Sequence, residues 1–434
     1  MHIAKPNTVE GWLAYIEALH PKSIAMGLER VATVAKRLKL KAHCPIVTIA
    51  GTNGKGSSCA MLSQVYIDAG YRAGCYTSPH LLRYHERVRI NNQQISDQAL
   101  CAAFLAVETA RQEVELTYFE MGTLAAMWYF MESELDVVIL EVGLGGRLDA
   151  VNIFDADCAI VTNVDLDHTD YLGDTREKIG LEKAGVYRSN QIAICGDPTP
   201  PQSLLDYALT IGAEVKIAQR DYVVKQAANG WCYQDQFGTL LLPALALVGD
   251  FQINNAASVV YAARSLRSRL PVADEVIVDA LPKVELLGRF QYLHHHPDVI
   301  VDVAHNAHAA QSLAENLAKL NIKGRLIAVF SMLADKDIAS VVSLLSSQID
   351  EWHIAEIQHA RAATLPELKN TLITHGVSVP IHEALKVEDA FVAACNNMTK
   401  NDKIIIFGSF FTVAAILSQW QQLEVMLNST QNKA

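Results

Sequence analysis

Cysteine is sparse and unpatterned in this chain. Its eight cysteines are scattered with no C-x-x-C pair, which argues against a disulfide framework and against a thiolate zinc site. A reducing cytosol is the expected setting. No apolar run reaches the ~18 residues of a membrane span, and the most tempting one, "LLLPALALVGD", is broken by Pro243. The opening "MHIAKPNTVEGWLAYIEALH" mixes Lys5, Pro6 and Glu10 with apolar residues at helical spacing. It lacks the apolar block of a secretory signal and reads as a helix. Basic charge is also short: the formal net charge is −11 and no long Lys/Arg run occurs. That disfavours wholesale nucleic-acid binding. An anionic small molecule stays admissible where metal ions and a few cations make the potential locally positive. No internal repeat or low-complexity segment is present.

What the sequence does contain is an α/β pattern. At 434 residues two domains are the default. "PIVTIAG", "RAGCYTS", "DVVILEVG", "CAIVTNV" and "QIAICGD" alternate with helical stretches, which implies mostly parallel strands covered by helices. Ligands in such sheets sit at the carboxyl ends of strands, where this chain concentrates its glycines and acids. From about residue 215 shorter alternation suggests a small antiparallel excursion. Pro282, Gly288 and Pro297 mark a boundary, giving a first domain over 1–285, a linker over 286–297 and a smaller α/β domain over 298–434.

The stretch "IVTIAGTNGKGSSCAML" departs from the strict phosphate-loop pattern, because Gly51 lies three before Gly54 and Gly56 is inserted between Lys55 and Ser57. A phosphate site needs only free backbone N–H groups, close approach and a helix N-terminus. Lys55 can serve as a point charge and Ser57 can offer a hydroxyl to magnesium; a structural βα turn is the alternative. Glu141 ends an apolar run and can hold magnesium, or simply be solvated. Leu148 occupies the place of the third glycine of a dinucleotide fingerprint, which weakens NAD binding. "NVDLDHTDYLG" delivers Asp165, Asp167, His168 and Asp170, a candidate metal shell or an Asx-rich turn.

Other candidates read more plainly. Lys183 looks like a solvated helix lysine, and His294 to His296 like an exposed loop tip. His305 and His308 fall at a helix start where Asn306 can cap, which disfavours metal. Ser78 and His80 raise a hydrolase reading, yet the G-x-S-x-G elbow is absent. Ser78 is the better metal ligand.

"AGTNGKGSS", "YTSPHLLRYHERVRI", "LTYFEMGTLAA", "ILEVGLGGRLDAVN", "DHTDYLG", "EKAGVYR", "GRFQ", "DVAHNAHAA", "MLADKD" and "GSFFTVA" occur in the order and spacing of the folylpolyglutamate synthase family, which the chain resembles from about Leu19 to Ala415. The resemblance implies a Mur-ligase-like ATPase domain with a mostly parallel sheet and a smaller Rossmann-like C-terminal α/β domain. It also implies ATP as co-substrate and Mg2+ as cofactor. By the same resemblance Thr52, Asn53, Gly54, Lys55, Gly56, Ser57, Asn255, Arg289, Asp302 and His305 contact ATP. Ser57, Ser78, Glu141, His168 and Lys183 hold magnesium, and Lys183 looks like the family's carbamylated lysine. Lys55, Lys183 and His168 form the catalytic group. Ile24, Ala25, Met26, Thr117, Tyr118, Phe119, Glu120, Leu148, Asp149 and Ala150 look like the pterin-substrate contacts. The chain departs from the family at Ala307 and Leu287, where prolines are usual, and at Ser331, where glycine is.

The implied reaction is amide ligation. Transfer of the γ-phosphoryl group to a carboxylate is followed by attack of the L-glutamate amine, on dihydropteroate and on reduced folate glutamates. Positioning and charge neutralisation do most of such work. A polyglutamate-only ligase, a muramyl-peptide ligase and a nucleotide-driven regulator or transport ATPase are the rivals. A monomer in the cytoplasm, binding small molecules and neither nucleic acid nor membrane, is the expectation.

Overall fold

The computed structural model describes residues 5–21, 25–396 and 398–431. The chain divides into two units, one formed by Met1–Ala246 with Phe251–Val284 and one by Leu247–Asp250 with Glu285–Ala434.

The first unit is built on eight strands: β1 (Ile46–Ala50), β2 (Ala73–Tyr76), β3 (Val88–Ile90), β4 (Gln93–Gln94), β5 (Val137–Glu141), β6 (Cys158–Val161), β7 (Ile192–Cys195) and β8 (Val215–Ile217). Their order is β4-β3-β2-β5-β1-β6-β7-β8. All neighbours from β2 to β8 pair in parallel, and β3 and β4 add an antiparallel edge. Every residue of β1 and β5 is buried, as expected of central strands covered on both faces. Because β1 lies between β5 and β6, three carboxyl ends meet at one place. They deliver the glycine loop, Glu141 and the acidic turn after β6.

The antiparallel excursion is a three-stranded ribbon of β9 (Val223–Ala227), β10 (Gly230–Asp235) and β11 (Gly238–Leu242). It is fastened to the helix Asp250–Ser265 by Arg264. The buried guanidinium pairs with Asp235 at 2.7 Å and Asp274 at 2.8 Å.

The second unit holds β12 (Gln291–His294), β13 (Asp298–Asp302), β14 (Leu326–Phe330), β15 (Glu351–Ala355), β16 (Ile381–Ala384) and β17 (Lys403–Phe407). Their order is β12-β13-β17-β14-β15-β16, parallel except for β12. The stretch 286–297 is therefore not a linker throughout: its centre is an antiparallel edge strand. Flanking prolines and glycine hid a run of four residues too short to show periodicity. His294 correspondingly ends a strand and bonds the Pro297 carbonyl at 2.9 Å, while His295 and His296 are exposed. Among the described residues no helix is long and apolar enough to cross a membrane.

Candidate active site

The glycine loop is braced from β6. The Asn53 N–H donates to Asn163 Oδ1 at 2.9 Å, and Thr162 Oγ1 donates to the Asn53 carbonyl at 2.6 Å. Thr52 Oγ1 accepts from the Asp165 N–H at 2.9 Å. Gly54, with φ +83°, precedes the helix Lys55–Asp68, and a β-carbon there would lie 2.7 Å from Asn255 Nδ2. Only glycine suits both the backbone and the contact. Lys55 Nζ folds back onto the Gly51 and Thr52 carbonyls, 3.0 Å from each. Buried Ser57 accepts from Gln252 Nε2 at 3.2 Å, and Gln252 Oε1 accepts from Asn255 Nδ2 at 3.1 Å.

Glu141 faces this helix across Gly56, where a β-carbon would lie 3.8 Å from both carboxylate oxygens. Its Oε2 also accepts the Ser78 N–H at 2.9 Å. Lys183, on the helix Arg176–Ala184, is only 4 % exposed. Burial, and next the charge of Lys55, bring its amine down to about 7, against the opposing pull of Asp167 and Asp149. The solvated lysine read from sequence is thus a buried one. The helix is held against the glycine-rich turn after β5: the Arg147 N–H donates to the Glu182 carbonyl at 2.8 Å, and Arg147 pairs with Glu182 at 2.7 Å. Gly146 of the same turn packs against the Glu182 and Lys183 carbonyls, so the turn covers this end of the helix where Lys183 is buried. His168 has a left-handed backbone, φ +51°, and its Nε2 lies 3.9 Å from Asp167 Oδ1. Asp149 is buried and raised to about 7 by desolvation, although N–H groups of Leu144 and Val151 donate to it at 2.8 and 3.0 Å.

A second set of residues lines up behind the turn after β5. Thr117 caps the helix Tyr118–Met131 in a capping box with Glu120, which also pairs with Arg30 at 2.9 Å. Arg30 in turn donates to the Ala25 carbonyl at 2.7 Å, so one carboxylate fixes both the helix start and the Ala25–Met26 strip. Phe119 packs where a β-carbon on Gly143 would lie 2.6 Å from its ring. Tyr118 sits under the Arg87 guanidinium, 5.6 Å from its ring centre. Arg87 Nε donates to His80 Nδ1 at 2.8 Å, consistent with a ring that burial and Arg87 hold neutral, down to about 4. Leu148 is half-buried and Ala150 buried. Ile24 lies outside the described residues.

In the second unit Asp302 ends β13 and accepts the N–H groups of Phe290 and Ala304, both at 2.8 Å. Desolvation raises its carboxyl, opposed by Arg289. Arg289 and His305 both approach the Phe410 ring, at 5.2 and 5.9 Å. Asn306 caps the helix Ala307–Ala318, as its sequence position indicated. Ala307 takes the first helical position, where proline is also accommodated.

Thr162, Asn163 and Gln252 went unnoticed in the sequence. Gln252 was discoverable, since it lies one helical turn before Asn255. Oxygen donors from Ser57 and Glu141 beside a cationic lysine and free helix N–H groups suit a magnesium-bound polyphosphate.

Two family profiles match the chain: the Mur ligase middle domain over residues 49–263, and the Mur ligase glutamate ligase domain over residues 288–410. Fold and site together thus define a protein of the Mur ligase class. The dihydrofolate synthase/folylpolyglutamate synthase of Escherichia coli K12 is 45% identical over 412 residues, covering 95% of each chain. That of Haemophilus influenzae is 40% identical, covering 95% of this chain and 98% of its own. Among solved structures, E. coli FolC in complex with DHPP and ADP is similar at a TM-score of 0.92 and 43% identity, covering 97% of this chain and 99% of that one. A bifunctional folylpolyglutamate synthase/dihydrofolate synthase with Mn, AMPPNP and L-glutamate bound reaches 0.88 at 43% identity, over 96% and 100% of the two chains. The chain belongs to the dihydrofolate synthase/folylpolyglutamate synthase family.

Proposed function

We propose that this protein is an ATP-dependent ligase that adds L-glutamate to 7,8-dihydropteroate and to the glutamyl tail of reduced folates, as a cytoplasmic monomer. The observation that carries the reading is the grouping of Lys55, Ser57, Glu141 and Lys183 about one glycine loop, in a chain alike to the family over nearly its whole length.

A carboxylate oxygen of the acceptor attacks the γ-phosphorus of ATP, the bond to the β-phosphate oxygen breaks, and ADP leaves. The glutamate amine then attacks the acyl phosphate, orthophosphate departs, and the amine's proton passes to solvent. Thr52, Asn53, Gly54 and Gly56 present backbone to the phosphates, Lys55 swings from its carbonyl contacts to the transferring group, and Asn255 secures the loop. Arg289, Asp302 and His305 would also contact ATP. Ser57, Ser78, Glu141, His168 and Lys183 would hold Mg2+, which when bound neutralises phosphate charge.

Lys183 fits this role only as an anion. With a value brought down to about 7, a substantial share of its amine is neutral at pH 7, against on the order of one in a few thousand for an ordinary lysine. The neutral nitrogen adds to CO2, a C–N bond forms and a proton leaves, which gives a carbamate with oxygen donors. Ile24 to Met26, Thr117 to Glu120 and Leu148 to Ala150 would contact the pterin acceptor.

Mass spectrometry after incubation with MgATP, glutamate and either dihydropteroate or tetrahydrofolate tests the proposal. Products heavier by one glutamyl residue from both acceptors are expected. Product from tetrahydrofolate alone would make it a polyglutamate-only ligase, and product from a UDP-muramyl acceptor alone would overturn the folate reading.

A further inference from the structure

The sheet of the second unit carries another cluster, at the amino ends of its strands and so at the edge opposite Asp302 and His305. Glu351 and His353 lie two residues apart on β15 and share a face. His382 on β16 is the register partner of His353 and joins that face. His353 Nε2 lies 2.8 Å, and His382 Nε2 3.4 Å, from the same oxygen, Glu351 Oε1. The two imidazoles stack at 4.7 Å, and one donor atom from each of the three residues falls within 4.8 Å of the others.

Bonds of about 2.0–2.1 Å in a tetrahedral site set its donors roughly 3.3 Å apart, close to these spacings. The other oxygen of Glu351 is held by Arg325 Nη1 at 2.6 Å, and Arg325 also pairs with Asp402 at 2.9 Å. Two carboxylates and one guanidinium leave the group with a net charge of about −1, suited to a dication. The His353 side chain is buried, and the neutral form of an imidazole is the one that ligates. Its Nδ1 is buried without a partner. Moving the ring proton from Nε2 to Nδ1, which ligation through Nε2 requires, therefore gives up no second hydrogen bond. His382 keeps its side chain 47% exposed and leaves a path for the ion.

We propose that Glu351, His353 and His382 bind a divalent ion of the zinc type, with the fourth position open to water beside His382. The ion joins edge strand β16 to β15, and two imidazoles with one carboxylate select zinc over magnesium.

The test is Zn2+ titration of the full chain against a chromophoric chelator in excess Mg2+, for the wild type, His382→Gln and Glu351→Gln. His382 is the leading position because its exposure spares the fold. One tightly held Zn2+ is expected, weakened at least about tenfold in His382→Gln, with circular dichroism and glutamate ligation in Mg2+ unchanged. Zn2+ should also raise the Tm of the wild type and not of the variant. Equal Zn2+ affinity in the wild type and both variants, or no Zn2+ retained in Mg2+, would show only a hydrogen-bonded brace and overturn the proposal.

Discussion

Glu141 Oε2 accepts the backbone N–H of Ser78 at 2.9 Å, tying the turn after β2 to the carboxyl end of β5. One oxygen is thereby oriented, and the carboxylate stays turned toward Gly56. Glu141→Gln keeps the shape and removes the charge. The Mg2+ concentration for half-maximal ligation should rise at least about tenfold, with folding intact by circular dichroism. A superimposable magnesium titration would remove Glu141 from the site.

Lys183 should report both carbon dioxide and pH. Protein purified without CO2 is expected to regain ligation when bicarbonate is added, and a 13C-bicarbonate carbamate signal should vanish in Lys183→Ala. In the carbamate-free, metal-free protein the folded value of about 7 lies below the unfolded one, so the unfolded chain binds more protons between them. Stability therefore rises from about pH 7 toward the unfolded value, by up to about 1.4 kcal/mol per pH unit. Urea unfolding of Lys183→Met should lack this component; parallel pH profiles would contradict the buried amine.

Gly54 and Gly56 should respond in opposite ways to alanine. At Gly54 the left-handed backbone and the Asn255 amide both resist a methyl, and a stability loss of about 1–2 kcal/mol is expected. At Gly56 the helix gains up to about 1 kcal/mol, but the methyl faces Glu141 and should weaken MgATP binding. Urea unfolding and calorimetric ATP titration separate the two effects, and equal losses of stability would contradict the packing.

Glu120→Gln should raise KM for dihydropteroate more than KM for ATP, because the carboxylate holds both the Thr117 cap and Arg30. A loss of about 1–3 kcal/mol accompanies it. Equal shifts in the two KM values would mean that Glu120 merely stabilises the fold.

Much of this was readable in the chain. Apolar runs marked β1, β2, β5, β6 and β7, and "GTNGKGSS" and "ILEVGLGG" marked two of the carboxyl ends that meet. The burial of Lys183 was not readable, since "REKIGLEKA" has an ordinary charged helix composition and the Arg147 turn covers its last residues only in the fold. Strand β12 escaped because four residues between Gly288 and Pro297 carry no period. The bracing of the loop by Thr162 and Asn163 depends on β6 lying beside β1, a matter of strand order that local sequence does not encode.

The helix Asp250–Ser265 touches the phosphate loop through Gln252 and Asn255 and, three turns on, grips the β9–β11 ribbon through Arg264. The ribbon thus works as ballast on a lever whose short arm rests on the glycine loop. Loosening that ballast with Asp235→Asn is expected to lower ATP affinity although Asp235 touches the helix only at its Arg264 end, and an unchanged calorimetric affinity would disconnect the two ends.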